Sequence, residues 1–230
     1  MTRTVVVTGG TGGIGRAIAR GFAASGARVI ATGHAETPPH PDITDRLLDL
    51  RDSGAVADFF AGLDRLDVLV NAAGVIRRGG EEFAPDGFAE VLDINLTGTL
   101  RACHAARPLL ARQGGAIVNI ASMLTFFGSP VAPAYAASKG GIAQLTRSLA
   151  LAWADQGIRV NALAPGWIAT PLTAALHQDP GRSARILDRT PMRRWGRPED
   201  LVAPALFLAS DGAAFVTGAI LPVDGGYSAA

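Results

Sequence analysis

The stretch TVVVTGGTGGIG, Thr4 to Gly15, joins a short β-branched run to a glycine-rich loop. An amphipathic segment of helix length, IGRAIARGFAASG, continues from it without a break. Glycines 9, 13 and 15 allow the chain to turn tightly and let backbone N–H groups approach a pyrophosphate at the start of the helix. Strand, loop and helix in this order predict a dinucleotide-binding unit in preference to a purely structural turn.

The same alternation continues along the chain. Longer segments rich in alanine and leucine separate most of the short apolar runs, which lie at 4–8, 28–32, 46–50, 67–71, 116–120, 158–163 and 219–223. This pattern predicts an α/β fold with a doubly wound parallel sheet of about seven strands and helices on both faces. We expect one domain over residues 1–230, since 230 residues with 48% hydrophobic content suit a single core. The exception is GHAETPPHPDITD (33–45), whose three prolines predict a loop with at most one turn of helix.

Composition excludes several classes of partner. A net charge of +1 supplies no basic field of the kind that nucleic-acid binding needs. The single cysteine, Cys103, lies among helix formers, so we predict a buried, unreactive thiol and a reducing compartment. No signal-peptide pattern, no apolar run of about 18 residues and no metal-ligand spacing is found. We therefore expect a soluble, cytoplasmic protein without a membrane partner or a metal.

The position that usually reads the adenosine ribose is unusual. An acid is expected about 20 residues beyond the glycine loop, at the tip of the second strand. Gly33 stands there instead, followed by His34. His34 can bond a ribose hydroxyl, assist a phosphate when it is protonated, or be a solvated loop residue, and these alternatives stay open. We predict NAD in preference to NADP, because neither Arg nor Lys stands at 34 to bind a 2′-phosphate.

Two polar residues one helical turn apart fit the chemistry of such a cofactor. In PAYAASKGG, Pro133 to Gly141, Tyr135 and Lys139 are spaced i, i+4 and share a helix face. Hydride transfer at a carbinol also requires a proton to move at the oxygen. Bringing the pKa of a tyrosine from about 10 toward 7 requires roughly 4 kcal/mol, which a nearby ammonium together with the positive nicotinamide ring can supply. We predict Tyr135 as the base, Lys139 as its activator, and Ser122 either as the holder of the substrate oxygen or as a turn cap.

Together these motifs resemble those of the short-chain dehydrogenase/reductases of the type with a Thr-Gly-x-x-x-Gly-x-Gly start. The resemblance covers essentially the whole chain and implies a single-domain Rossmann-type fold. The chain departs from the family pattern at two places. NAAG replaces the commoner Asn-Asn-Ala-Gly. The segment after strand 2 is shorter than usual, and this shortening leaves the shape of the adenine edge and the choice of cofactor open. The motifs, in chain order, are TGGTGGIG, NAAG (71–74), DINLTG, NIAS, YAASK, NALAPG (161–166) and VDGG (223–226).

The resemblance also implies roles for individual residues. Tyr135 is the acid/base, and Lys139 lowers its pKa and binds the nicotinamide ribose. Ser122 orients the substrate oxygen, and Asn95 holds a helix bend that positions a proton-relay water. Positions 49–50 belong to the adenine pocket, 71–74 to the adenosine side and 165–170 to the nicotinamide end. The full implied cofactor set is Gly9, Thr11, Gly12, Gly13, Ile14, Gly15, Gly33, His34, Asp49, Leu50, Asn71, Ala72, Ala73, Gly74, Tyr135, Lys139, Pro165, Gly166, Ile168 and Thr170.

The substrate segments are similar to those of the sugar-acid subgroup, the 2-deoxy-D-gluconate and 2-dehydro-3-deoxy-D-gluconate dehydrogenases. The similar segments are VIRR, IASML and RSARILDRTP with the following RWG. Arginines at 77, 78, 182, 185, 189, 193, 194 and 197 flank these segments, and a guanidinium suits a carboxylate. We predict a substrate lid at about 167–198. The predicted substrate contacts are Ser122, Met123, Tyr135, Trp167, Arg182 and Arg185.

Two other functions stay open. The apolar LTFFG segment could line a site for a ketone or acyl substrate, as in a 3-oxoacyl reductase. The alternative from another class is a dinucleotide-sensing protein without turnover, which would be free to lose Tyr135 or Lys139. The resemblance further implies a homotetramer, with the helices at about 86–112 and 134–155 and the C-terminal VDGGYSAA at the subunit contacts.

Overall fold

A single seven-stranded sheet organises the molecule. The structure, a computed structural model, describes residues 2–34 and 38–230. The strands lie in the order β3-β2-β1-β4-β5-β6-β7, and all neighbours pair in parallel. Their bounds are β1 Thr4–Thr8, β2 Arg28–Gly33, β3 Ile43–Leu47, β4 Val68–Asn71, β5 Ala116–Ile120, β6 Arg159–Pro165 and β7 Ile220–Val223. The predicted doubly wound α/β fold is confirmed.

Helices cover both faces of this sheet. The longest, α5, is also the one that carries the predicted acid–base pair. A short π-helix, Asp93–Thr97, joins α3 to α4, so these form one continuous helical rod as the sequence predicted. The helices are α1 Gly13–Ala24, α2 Ser53–Ala61, α3 Pro85–Leu92, α4 Gly98–Ala111, α5 Pro133–Trp153, α6 Ala174–His177, α7 Pro180–Arg189 and α8 Val202–Ala209.

Alternation along β1 divides the core into two layers. Val5 and Val7 face a cluster built with α1 and α8, whereas Val6 faces a cluster built with α2, α4 and α5. All three valines are fully buried. A strand that is buried on both faces has a continuous apolar sequence. For this reason polar and apolar residues do not alternate along TVVVT.

The third strand is the main difference from the sequence prediction, which placed it at 46–50. The observed strand, β3, starts three residues earlier and ends at Leu47. As an edge strand it pairs only with β2, so its own residues are mostly exposed. Leu48 and Leu50 are buried by packing into the core beyond the strand end, and this packing explains the apolar pattern that misled the prediction.

The proline-containing connection before β3 is short, as expected. Its described residues, 34 and 38–42, contain a bend, an isolated bridge at His40 and a turn, and no helix. The remainder of this predicted loop, 35–37, lies outside the described residues. The chain runs from β1 outward to β3 and then crosses back to β4 on the other side of β1. This reversal opens a crevice at the carboxyl ends of β1 and β4, where α/β sheets bind ligands.

Candidate active site

A cleft of about 560 Å³ lies at this crevice. Its walls come from the loops that follow β1, β2, β3 and β4, from the end of β5, from the first turns of α5, and from residues after β6. Sixteen of the predicted cofactor residues line it, and they span both ends of the cleft. They are Gly9, Thr11, Gly12, Gly13, Ile14, Gly15, Gly33, His34, Asp49, Leu50, Ala72, Ala73, Gly74, Tyr135, Lys139 and Thr170.

The glycine loop is shaped by close backbone approaches. Gly9 has a φ of 66°, and a Cβ on it would lie 2.5 Å from the backbone nitrogen of Ala73. A Cβ on Gly15 would collide with the carbonyl oxygen of Gly9, so only glycine fits there. Helix α1 starts with Gly12 as its N-cap, without a side-chain cap and without an acid in its first turn. Its first N–H groups are therefore available to an anion.

The tip of β2 shows why an acid is missing at position 33. A Cβ on Gly33 would overlap the side chain of Thr11, whose Cγ2 would be 2.8 Å away. The threonine thus occupies the space that a carboxylate-bearing side chain would need. On the opposite wall, the carboxylate of Asp49 is held by Arg51 through bonds of 2.7 and 3.0 Å. The guanidinium of Arg51 holds the pKa of that carboxyl below its usual range.

Tyr135 and Lys139 line the other end of the cleft, and Ser122 is hydrogen-bonded to Tyr135. Ser122 follows β5 directly and also caps a short 3-10 helix, where its Oγ accepts a bond from the Leu124 N–H. Both predicted roles of this serine are therefore compatible with its position. Lys139, the only lysine of the chain, is buried and donates from Nζ to the carbonyl of Ile120 at 2.6 Å. Its Nζ lies 5.5 Å from the centre of the Tyr135 ring.

Burial governs the protonation of both groups. It raises the pKa of Tyr135 to about 12, because the phenolate loses contact with water, while the hydrogen bond with Ser122 opposes this rise. Burial also lowers the pKa of Lys139 to about 8. The predicted lowering of the Tyr135 pKa depends on Lys139 together with the positive nicotinamide ring, and it remains a prediction. The ammonium is itself desolvated and is bonded to a carbonyl, so it does not outweigh the burial of the phenol.

Asn95 ties the π-helix to the loop after β4. Its side chain is fully buried, accepts the Val75 N–H at 2.8 Å and donates to the Val75 carbonyl at 2.9 Å. The same amide nitrogen lies 3.1 Å from the Ser138 hydroxyl, which in turn donates to the Tyr135 carbonyl at 2.7 Å. A π-turn in a helix is frequently found at a functional site. The π-helix Asp93–Thr97 lies where the resemblance implies a helix bend around Asn95, and the bend and its water remain predictions.

The comparison with known families decides the identity of this arrangement. Residues 9–228 match the family model described as Enoyl-(Acyl carrier protein) reductase, which belongs to the short-chain dehydrogenase/reductases. The chain is a short-chain dehydrogenase/reductase. The resemblance seen in the sequence motifs is confirmed.

Relatives of this short-chain dehydrogenase/reductase match it from end to end. The 2-dehydro-3-deoxy-D-gluconate 5-dehydrogenase of Pseudoalteromonas atlantica is 41% identical over 98% of this chain and 95% of that protein. The galactitol 2-dehydrogenase (L-tagatose-forming) of Cereibacter sphaeroides is 43% identical over 96% of this chain and 93% of that protein. Among solved structures, a proposed NAD(P)-dependent gluconate 5-dehydrogenase from Beutenbergia cavernae, with bound NADP at low occupancy, gives a TM-score of 0.92. It is 43% identical over 99% of this chain and 97% of that one.

Four predicted cofactor residues of this short-chain dehydrogenase/reductase do not line the cleft. The Asn71 side chain is buried and donates to Asn119 Oδ1 at 2.9 Å, so it links β4 to β5 inside the sheet. Pro165 ends β6, and the N–H of Gly166 donates to the Val223 carbonyl of β7. Ile168 is buried and lines a second cavity of about 380 Å³ behind the cleft. Of the predicted nicotinamide end, only Thr170 lines the main cleft.

The predicted substrate residues are dispersed. Met123 is buried, and Trp167 lines the second cavity. The indole nitrogen of Trp167 is buried and has no hydrogen-bond partner among the described residues. Arg182 and Arg185 are exposed on α7 and do not line the main cleft. Their roles as substrate contacts remain predictions, as does the lid at about 167–198.

Sequence reasoning missed several residues of the site. Glu90 lines the cleft in an ion pair of 2.6 Å with Arg77, one of the arginines that the sequence placed near the substrate segments, and Leu172 forms part of the wall near Thr170. Glu82 lies behind the site and is bonded to the backbone of Tyr135. The sequence EEF contains no signal for this residue, because its neighbour Glu81 is equally acidic and is exposed. Within the described residues, no helix is long and apolar enough to cross a bilayer, and no group of three or more potential ligands could hold a metal.

Proposed function

We propose that this protein is an NAD(P)-dependent dehydrogenase that interconverts a secondary alcohol and a ketone on a sugar acid of the deoxygluconate or uronate type. One observation carries the proposal. The phenol of Tyr135 and the ammonium of Lys139 line one end of a cleft whose other end is a glycine-lined helix start, and the Ser122 hydroxyl is hydrogen-bonded to Tyr135. This arrangement can move a proton at the substrate oxygen while a hydride moves at the adjacent carbon.

Each residue of the site has a separate role in the proposed reaction. Ser122 donates a hydrogen bond that orients the substrate oxygen, and Tyr135 exchanges a proton with that oxygen. Lys139 places a positive charge close to the Tyr135 ring. Asn95 connects the π-turn to the loop after β4 and to α5 through its hydrogen bonds with Val75 and Ser138. When it is bound, the nicotinamide accepts or donates the hydride. The positive charge of its oxidised ring adds to that of Lys139 and favours the phenolate.

The cleft fits a dinucleotide. The uncapped start of α1 offers N–H groups to the pyrophosphate, and the glycines at 9 and 15 leave backbone where side chains would block the approach. For the choice of cofactor, we propose NAD before NADP. This is supported by the absence of Arg or Lys at 33 and 34 and by the ion pair that Arg51 forms with Asp49. Because the Beutenbergia cavernae structure contains bound NADP, NADP should be measured beside NAD in the same assay.

Two features support a sugar acid as the substrate. The gluconate-type names of similar proteins extend over nearly their whole length. In addition, Arg182 and Arg185 of α7 lie exposed on the predicted lid, and a guanidinium can bind a carboxylate through two hydrogen bonds. Because the similar enzyme of Cereibacter sphaeroides is a galactitol dehydrogenase, galactitol, a polyol without a carboxylate, is a suitable control substrate.

We also propose a homotetramer in the cytoplasm. Support for the assembly comes from apolar side chains that α4 and α5 present at the surface, Leu100 and Leu151, the second of which is 84% exposed. Large exposed apolar groups on long helices are typical of subunit contacts. The single cysteine of the chain, Cys103, is buried, which is compatible with a reducing compartment.

The test uses purified protein and the absorbance of the reduced cofactor. Each cofactor is combined with 2-deoxy-D-gluconate, D-gluconate, galactitol and a 3-hydroxyacyl thioester, with Tyr135→Phe as the inactive control. We expect turnover of a sugar acid at a higher kcat/KM than galactitol. Cofactor binding without turnover of any compound would contradict the proposal and favour a sensor, and preferential turnover of the thioester would contradict the substrate class.

A further inference from the structure

A buried acid lies behind the proposed catalytic centre. Glu82 belongs to the short 3-10 helix Glu81–Phe83, and only 1% of its surface is exposed. Its Oε1 accepts the backbone N–H of Arg77 at 2.9 Å, and its Oε2 accepts the backbone N–H of Tyr135 at 2.9 Å. A carboxylate is rarely buried without a basic partner. Among the described residues, the hydrogen-bond partners of the Glu82 carboxylate are these two backbone N–H groups.

The two bonds join distant parts of the chain. Arg77 lies in the loop that follows β4, and Tyr135 lies in the first turn of α5, where helix N–H groups lack intrahelical acceptors. A negative charge at this position also interacts favourably with the helix dipole. Glu82 therefore serves as the cap that α5 otherwise lacks, since its N-cap residue, Ala132, makes no side-chain cap bond.

Tyr135 is consequently held through both of its backbone groups. Glu82 binds its N–H, and the Ser138 hydroxyl binds its carbonyl at 2.7 Å. Ser138 is itself bonded to Asn95, which is tied to Val75 of the same loop after β4. The loop thus reaches Tyr135 by two independent routes, one through an amide and one through a carboxylate.

We propose that Glu82 is a positioning residue for the reaction, because its carboxylate fixes the first turn of α5, and with it the Tyr135 ring, against the loop that follows β4. The inference rests on the function proposed above for Tyr135. A shift of about 1 Å in a reacting group can lower a rate about 100-fold, so a fixed backbone at this point has a direct effect on turnover.

The charge of Glu82 also acts on the phenol. Besides burial, which is the largest cause, the negative charge of Glu82 raises the pKa of Tyr135, while the Ser122 hydrogen bond lowers it. Lys139, on α5 itself, is the cation that faces the ring. The acids of the adjoining α3 and π-turn, Glu90 and Asp93, are paired with Arg77 and Arg101. Removal of the Glu82 charge should therefore lower the pKa of Tyr135.

The experiment compares Glu82→Gln with Glu81→Gln. Glu81 is the adjacent, exposed acid, so both variants lose one charge and keep the side-chain size. The chain has two tyrosines, so a Tyr227→Phe background leaves Tyr135 as the only source of tyrosinate absorbance. For Glu82→Gln we expect kcat to fall about 10- to 100-fold with little change in the KM of the cofactor. We also expect tyrosinate to appear at lower pH, with circular dichroism confirming the native fold at each point. Glu81→Gln should change neither kcat nor the pH at which tyrosinate appears.

Glu82→Asp separates position from charge. It keeps the charge but is one methylene shorter, so it should lose kcat while its tyrosinate absorbance appears near the parent's pH. Equal kcat and equal titration for Glu82→Gln and Glu81→Gln would overturn the proposal. If Glu82→Gln does not fold, a Glu82→Asp variant with parental kcat would overturn it. Absence of turnover in the parent would refute the proposed function, whereas the titration would still test the contact between Glu82 and Tyr135.

Discussion

Tyr135 combines two opposing requirements in one residue. The proton transfer needs the phenolate within reach of the substrate, yet the surroundings that exclude water raise the pKa of the phenol to about 12. Among the groups around it, only the Ser122 hydrogen bond and nearby positive charge favour ionisation. The activity should therefore follow the small population of phenolate, and this population depends on pH.

The first prediction concerns this dependence. With a tyrosine pKa above neutral, the phenolate fraction increases about tenfold per pH unit, so the rate of alcohol oxidation should rise from pH 7 toward alkaline pH. Ketone reduction uses the neutral phenol as acid and should not rise over the same range. Tyr135→Phe should lower kcat by about 10²- to 10⁴-fold in both directions. Initial rates from pH 6 to 10 check this, and an oxidation rate that is flat over the range would contradict it.

Lys139 allows a direct measurement of the electrostatics of the site. Because it is the only lysine, selective ¹³C labelling of lysine gives a single side-chain signal. Burial lowers its pKa to about 8 from the ordinary value of 10.5, so the signal should titrate near pH 8. Protein unfolded in urea should titrate near 10.5 and provides the control. A folded-state midpoint above 10 would show that the ammonium remains solvated.

At the scale of elements, the sequence predicted the order of strands and helices well where a segment is buried on both faces. β1 and β5 occur at the predicted residues, because continuous apolar runs there reflect central strands. β3 was displaced by three residues, because Leu48 and Leu50 are buried by tertiary packing that a local pattern does not distinguish from strand burial. The role of Glu82 was missed for a similar reason, since its contacts lie 5 and 53 residues away.

The loop between β1 and α1 leads to the third prediction. Gly15 and Gly140 are both helical glycines, but a Cβ at 15 meets the Gly9 backbone, whereas a Cβ at 140 meets nothing within 4 Å. Gly15→Ala should lower the free energy of unfolding by about 1–3 kcal/mol and weaken cofactor binding. Gly140→Ala should raise the free energy of unfolding by about 0.5–1 kcal/mol, because alanine loses less backbone entropy. Urea titrations with tryptophan fluorescence check both values, and an equal effect of the two variants would contradict the clash.

At the scale of the whole molecule, the sheet order explains how the site is assembled. Residues from the loops after β1, β4 and β5 come together because β1 is the centre from which the chain winds in both directions. The sequence motifs identified these loops, so the position of the cleft and of Tyr135 and Lys139 in its wall could be predicted. The substrate contacts of Arg182 and Arg185 remain predictions, since both lie on α7, whose placement depends on side-chain packing around Trp195 and Ser183 rather than on the sheet.

The surface of the long helices leads to the last prediction. Leu151 of α5 is 84% exposed, and Leu47 of the edge strand β3 is 63% exposed. If α4 and α5 form the subunit contacts, burial of Leu151 against a second copy stabilises the assembly, and a charge there would be desolvated without a partner. Leu151→Arg should therefore convert a tetramer to a smaller species, whereas Leu47→Arg should leave the assembly intact. Light scattering coupled to gel filtration measures the mass of each, and a monomeric parent protein, or a tetramer that persists in Leu151→Arg, would exclude α5 as the contact.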